Sequence, residues 1–357
     1  MTELNLVYTE VEDDLRATVR ALLSAHGDPT SVTALYDGDR SLVAGLWKNI
    51  AVDLGLAGLL VPEEHGGAGA SAREAAVVLE ELGRFVAPVP FLTSSVVATT
   101  ALLGADASLL GELAAGERTA ALAVPFSTAA HAPVAAVADG GTVTSVAGAL
   151  EADLLLVPVS GPEGLALHAV AAADARITPV VSLDMTRQLA DITFDDFTGP
   201  PVVTDGVSAV RAALLAGTAL LASEQCGLAR WCLEETVAYL KERRQFGRVV
   251  GGFQAIKHRL ADLYTGVESA TATARYAAAT LAAADPDTAV AAGVAQAYCG
   301  DLAVLAAEEA VQLHGGMGMT WEHPAHLYLK RAKADQIAFG TAGTHRARLA
   351  ELVDLPV

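Results

Sequence analysis

Aromatic residues make up only 5% of this 357-residue chain, and there are just three cysteines. With so few large rings, the apolar content of 52% has to come mainly from Ala, Val and Leu, a composition suited to close helix–helix packing. Basic residues are also scarce: 23 Lys and Arg stand against 42 Asp and Glu, for a net charge of −19. That balance excludes a nucleic-acid binder, which needs clustered cations to neutralise phosphate. An anionic ligand would need a local basic site against the overall field. Cys226, Cys232 and Cys299 lack metal-ligand spacing, and a chain this long needs no disulfide frame. The opening MTELNLVYTEVEDDLRATVR is acidic and amphipathic, unlike the basic and apolar regions of a secretory leader. No apolar run reaches the ~18 residues of a membrane span without polar interruption. A soluble, reduced, cytoplasmic protein of two or three domains is expected.

What is present falls into three textures. Residues 1–117 read as a helical domain: DLRATVRALLSAH and SAREAAVVLEELGRF carry apolar residues at helical spacing, and Ser71 with Glu74 forms a capping-box signal. Between them, Pro62, Gly66, Gly67 and Gly69 mark a loop; its GGAG lacks the third glycine and the βαβ setting of a dinucleotide fingerprint, so a plain turn is expected. Residues 118–204 are a middle β domain, with short runs TAALAV, GTVTSVAG, ADLLLVPV, ALHAVAA and ADITFDDF separated by Gly, Pro and Asp. From 205 to 357 long helical runs return, divided at Asp285-Pro286-Asp287, as a four-helix-like bundle. The fold class is mainly α with a β insert.

Few motifs carry chemistry. His323 and His326 flank Pro324, and His314 lies nine residues earlier, but no third ligand follows at a recognisable spacing, so no metal site is expected. No G-x-S-x-G elbow occurs, and no cysteine has a neighbouring base. Two segments are more informative. In RRQFGRVVGGFQAIKHRLADL a helix ends at Arg243-Arg244, passes through Phe246-Gly247, and a new helix starts near Phe253-Gln254. Guanidinium and amide groups at such a break can hold phosphate and flat heterocycle edges; the plain alternative is a solvated helix end with Phe246 as a core plug. In EEAVQLHGGMGMTWEHPAH, Gln312 ends a helix, and Gly315 and Gly316 either let a ligand approach the backbone or simply cap that helix.

Taken in order, these segments resemble the acyl-CoA dehydrogenase family over nearly the whole chain. The likeness rests on WKNIAVDLGLAGLLVPEEHGGAGAS, LEELGRFVAPVPF, RRQFGRVVGGFQAIKHRLADL, QLHGGMGMTWEHP and the terminal FGT. It implies helical, β and helical domains, FAD as cofactor, and a dimer-of-dimers assembly. It also implies that Arg243, Phe246, Phe253 and Gln254 contact the FAD held mainly by a neighbouring subunit. Gln312, Gly315 and Gly316 would meet the adenosine and phosphate part of that flavin.

The likeness breaks where the chemistry should be. The family removes an acyl-thioester α-proton with a carboxylate while the β-hydride passes to flavin. In one branch the base directly precedes the terminal Gly-Thr, where this chain has Phe339; in another it lies near Gly217, within the acid-free AALLAGTALLA. The β-domain loop AVPFSTAAHAPVAAV and strand GTVTSVAG have likewise lost the family's flavin-ring donors. The resemblance therefore implies the base-lacking subunit of a heteromeric, α2β2 dehydrogenase, of the kind associated in actinobacteria with steroid side-chain degradation. Its partners would be a paralogous acyl-CoA dehydrogenase subunit, the acyl-CoA substrate and electron-transfer flavoprotein. Rival readings are a self-sufficient homotetramer using Glu224 or Glu351, a non-enzymatic acyl-CoA-binding or scaffolding protein, and a flavin monooxygenase or acyl-carrier-protein dehydrogenase of the same fold.

Overall fold

A computed structural model describes residues 4–29, 31–104, 107–195 and 199–355. Helix α1 (Glu10–His26) starts at Thr9, whose hydroxyl and Glu12 form a reciprocal capping box. Helix α2 (Ser41–Lys48) precedes the loop with Pro62 and the glycines, where Gly66 has φ +83° and Gly67 folds so tightly on Val61 that a Cβ would lie 2.1 Å from its carbonyl oxygen. This is a turn closed on itself. Helix α3 (Ala72–Arg84) carries the Ser71–Glu74 capping box. A π-helical stretch, Phe91–Ala98, then runs into α4 (Thr99–Leu102), and α5 (Ala107–Ala114) ends this part.

Two three-stranded sheets follow. One joins β1 (Ala120–Leu122), β3 (Leu154–Gly161) and β4 (Gly164–Ala171), with β1 parallel to β3. The other joins β2 (Thr142–Ala147), β6 (Leu189–Phe194) and β5 (Ala175–Pro179), all antiparallel. Strand β6 alternates, turning Ala190, Ile192 and Phe194 inward; they meet Leu155 and Val157 between the sheets. Strand β3 is buried on both faces, because Leu154 and Leu156 belong to the helical core instead. Strand β5 was not legible among the sequence runs, and the end of ADITFDDF lies outside the described residues.

Helices α6 (Gly206–Glu242), α7 (Gln254–Ala282), α8 (Thr288–His314), α9 (Ala325–Ile337) and α10 (Ala342–Leu352) complete the chain. Pro324 caps α9, so the helix starts between His323 and His326. By length and mean hydropathy α6 and α8 (with the short turn after it) could cross a membrane, although polar residues such as Arg211, Thr218, Gln296 and Asp301 interrupt both. In each, 67% of the most apolar window is buried inside the fold, as in core helices of a bundle. Small residues let α6 lie directly on α3: a Cβ on Gly227 would meet the Glu80 carbonyl oxygen at 1.9 Å, and one on Gly83 the Glu224 carbonyl oxygen at 2.1 Å. The low aromatic content thus has a structural counterpart in backbone-to-backbone packing.

Candidate functional site

Phe339 follows α9 and is buried, with φ +54°, a left-handed conformation unusual for a bulky residue. Its N–H donates to the Phe126 carbonyl at 2.8 Å, and its ring meets that of Phe126 edge-to-face at 5.2 Å. Gly217 lies in the middle of α6, and a Cβ there would fall 2.7 Å from Phe339 Cζ and 3.0 Å from Val97 Cγ2. The two positions at which base-bearing relatives were expected to place a carboxylate are therefore in mutual contact, and an aromatic ring fills the space. The cavity left beside it is about 20 Å³, lined by Thr93, Val97, Leu122, Val124, Phe126 and neighbours, with no ionisable side chain among them. A water needs roughly 10–15 Å³ of such space, so one water fits and an acyl chain does not.

The glycine after Phe339 has φ +104°, and a Cβ on it would crowd Ala129 Cβ at 3.0 Å and His345 Nε2 at 3.2 Å. The approach that the Gly340-Thr341 step requires is thus made by the β-domain loop and by α10. His345 Nε2 lies 3.0 Å from the Phe339 carbonyl, and burial lowers this imidazole's pKa. Thr341 caps α10 by accepting from the Thr344 N–H.

Glu224 is in no position to act as a mobile base. It is fully buried and accepts from Arg187 Nη2 and from Arg331 Nη1 at 2.5 Å. Burial pushes its pKa up, but the two guanidiniums outweigh burial and hold it below the usual carboxylate range. Arg331 also donates to Asp184 at 2.7 Å, and Arg187 to Asp335 at 2.6 Å. The β-domain loop at 184–187 is thereby clamped to α6 and α9. Glu351, the other acid considered as a base, is exposed and paired with Arg348 at 2.6 Å. It lines a separate cavity of about 590 Å³ with Arg211, His131 and His345.

The residues expected to contact FAD are at the far end of the bundle, on the surface. Arg243 ends α6, and strands β7 (Arg244–Gln245) and β8 (Arg248–Val249) form a hairpin with Phe246 and Gly247 at its tip, both at positive φ. Phe246 is 88% exposed, which overturns its reading as a core plug. Arg248 sits 3.7 Å above the Phe253 ring, and Gln254 opens α7 facing solvent. Gln312 is exposed in the last turn of α8, and Gly315 caps that helix at φ +64° with open space around its Cα. Gly316 is exposed beside it. Tyr239 of α6 stacks on His314 of α8 at 4.5 Å, so both segments belong to one end of the molecule. The fold also brings Glu235 of α6 near His314 and His323, a proximity that sequence spacing does not show. His323 is pushed down to about 4 by burial, His314 and His326.

Residues 9–138 match the acyl-CoA dehydrogenase N-terminal domain and residues 204–353 the acyl-CoA dehydrogenase C-terminal domain. The chain belongs to the acyl-CoA dehydrogenase family, a class of flavoprotein oxidoreductases whose cofactor is FAD. It is 37% identical to acyl-CoA dehydrogenase IpdE2 of Mycobacterium tuberculosis over 321 residues, 89% of each protein. Among solved structures, a chain of the ChsE4–ChsE5 complex from the same organism superposes with a TM-score of 0.86 at 27% identity, covering 99% of this chain and 100% of that one. A chain of the Tcur3481–Tcur3483 steroid ACAD superposes with a TM-score of 0.84 at 30% identity, covering 97% and 98%. The fit to FAD is divided: exposed cations, an aromatic tip and open glycine backbone have the chemistry to meet an adenosine diphosphate moiety, whereas the space beside Phe339 does not accommodate reacting groups.

Proposed function

We propose that this chain is the base-lacking subunit of a flavin-dependent acyl-CoA dehydrogenase that acts only with a paralogous subunit. The observation that carries this reading is the contact of Phe339 with Gly217, which leaves no acid and about 20 Å³ where the chemistry would occur. Its complement is the exposure of Arg243, Phe246, Gln254, Gln312, Gly315 and Gly316, available to a cofactor seated in the partner. When bound, FAD supplies the hydride acceptor; this chain's part is to hold its diphosphate and adenosine end. Similarity to chains of two-component complexes, one described as a steroid ACAD, supports a heterotetramer acting on a bulky steroid side-chain CoA ester. Electron-transfer flavoprotein is the acceptor the family implies, and three buried free cysteines suit a reduced cytoplasm. Purified alone, the chain is expected to be colourless and inactive. Co-expressed with a paralogue that retains a base, it should yield a yellow complex that desaturates acyl-CoA. A yellow, active homo-oligomer of this chain alone would overturn the reading.

The same reading sets an expectation for the cationic helix end. Arg243 and Arg244 are both exposed, and the chain's net charge of −19 works against any diphosphate. Charge-assisted hydrogen bonds contribute about 1.5–3 kcal/mol, and about 1.4 kcal/mol is tenfold in affinity. Arg243→Ala should weaken FAD retention by the heteromer roughly ten- to a hundredfold, and Arg244→Ala much less. Titration of the apo-complex with FAD checks this; equal losses at both positions would reduce the segment to a solvated helix end.

A further inference from the structure

Glu235 and Tyr239 are one turn apart on α6, and Tyr239 stacks on the ring of His314 at the end of α8. His314 is 3% exposed, and its Nδ1 lies 2.7 Å from the carbonyl oxygen of Ala310. A carbonyl only accepts, so Nδ1 is the donor, and in the neutral ring Nε2 is the atom that carries the lone pair. That Nε2 is buried and has no hydrogen-bond partner among the described residues, a condition native proteins rarely leave without a use. The His323 ring stands 4.2 Å from His314, tilted by 42°. One ligand atom each from His314, His323 and Glu235 lie within 4.8 Å of one another.

We propose that Glu235, His314 and His323 form a binding site for a divalent transition-metal ion of the zinc class, with one coordination position open. Two imidazoles and a carboxylate are a recurrent three-ligand set for such ions, and imidazole disfavours calcium and magnesium. The hydrogen bond from His314 Nδ1 to a backbone carbonyl is the outer-shell support that fixes a ligating ring's tautomer and orientation. Tetrahedral bonds of about 2.0–2.1 Å place ligand atoms roughly 3.4 Å apart, so the set must close by something over an ångström. Glu235 is only partly buried, and a change of its side-chain rotamer is the natural source of much of that movement. His323 binds through Nε2, its proton passing to Nδ1 and ending the 3.2 Å bond that Nδ1 accepts from the Ala325 N–H. This makes it the weakest of the three ligands. The ion would tie the later part of α6, the end of α8 and the loop before α9 together, about two helical turns before Arg243 and at the Gln312–Gly316 turn.

The site is independent of the reading of Phe339 and is tested without an activity assay. Chelator-stripped full-length protein is titrated with Zn²⁺ by calorimetry and, in parallel, with Co²⁺ for the visible absorption of a four-coordinate ion. One zinc per chain is expected, displacing cobalt and its colour. Glu235→Gln and His323→Gln alter side chains that are not fully buried, and retention of the fold is verified by circular dichroism. Each should weaken binding by at least the roughly 10–100-fold that loss of an outer-shell partner alone costs. No zinc binding in stripped wild-type protein would overturn the proposal, as would binding that both variants leave unchanged.

Discussion

Phe339→Glu is expected to destabilise the chain by at least about 3–5 kcal/mol and to create no activity. Removing a buried phenylalanine ring alone costs about that much, and here the ring supports Phe126, Gly217 and Val97 together. The carboxylate replacing it would face Thr93, Leu122, Val124 and Ala147 in a space of about 20 Å³. Burying a charge without partners adds a further penalty, which the group avoids only by taking up a proton. Arg187 packs over Phe126 at 5.6 Å, but its guanidinium is already committed to Glu224 and Asp335. The left-handed backbone gives glutamate no advantage over phenylalanine, so strain is not relieved. Urea unfolding measures the loss of stability. Exchange of an acyl-CoA α-proton catalysed by the variant would show that the plugged space still admits substrate.

Two acid-to-amide changes in the buried ion cluster should differ by several kcal/mol. Three carboxylates, Asp184, Glu224 and Asp335, face two guanidiniums, Arg187 and Arg331. One negative charge is therefore in surplus, and burial with the neighbouring Glu224 raises the pKa of Asp335 well above its usual range. Asp335 Oδ2 also has no hydrogen-bond partner among the described residues. On this charge balance Asp335 is the acid expected to take up the surplus proton, and Asp335→Asn should then change stability by only about 1 kcal/mol, since an amide replaces a neutral acid. Glu224→Gln instead leaves buried Arg187 and Arg331 short of their shared anion and should cost about 3–5 kcal/mol. The pH dependence follows in opposite senses. Glu224, with its pKa lowered, contributes stability above its ordinary value of 4.5 and loses it as pH falls through the folded value. Asp335, with its pKa raised, binds a proton in the folded chain that the unfolded chain has released, so it subtracts stability as pH rises above 3.8. Asp335→Asn should therefore gain on wild type as pH rises from about 4 towards neutrality. Chemical unfolding across that range checks both; equal costs for the two amides would place the proton elsewhere.

Local signals made much of the fold legible. The capping box at Ser71, the helix start at Gln254 and the break at Asp285-Pro286 depend on neighbours in sequence, and each appears in the structure where the residues indicate. Strand β6 was readable because one face is buried and the other is not. Strand β5 was missed because its residues are mostly exposed and carry no apolar alternation. The π-helical stretch at Phe91–Ala98 was missed for a different reason: it is buried on every side, so its apolar residues have no period to read.

The site divides in the same way. The absence of an acid at 339 and 217 is a property of single positions, visible in the sequence. That these positions touch is a consequence of where α6 crosses the segment after α9, more than a hundred residues apart, and nothing local encodes it. Glu224 looked available because sequence shows a carboxylate but hides the two arginines, 37 and 107 residues away, that occupy it. The proximity of Glu235 to His314 is hidden in the same way, because residues on separate helices leave no spacing motif.

The approach of Gly83 to the Glu224 backbone and of Gly227 to the Glu80 backbone also bears on how the molecule can move. Where two helices meet through backbone atoms, there are no long side chains between them to change rotamer and absorb a displacement. The seam between α3 and α6 therefore has less freedom to adjust than one filled by long side chains. The β sandwich is joined to the helices partly through polar contacts at Asp184–Arg187, which can exchange partners in a way that a glycine contact cannot. The sandwich is also tied to the helices by apolar packing through Leu154, Leu156 and Leu167, so two kinds of contact hold it, one fixed and one able to exchange partners.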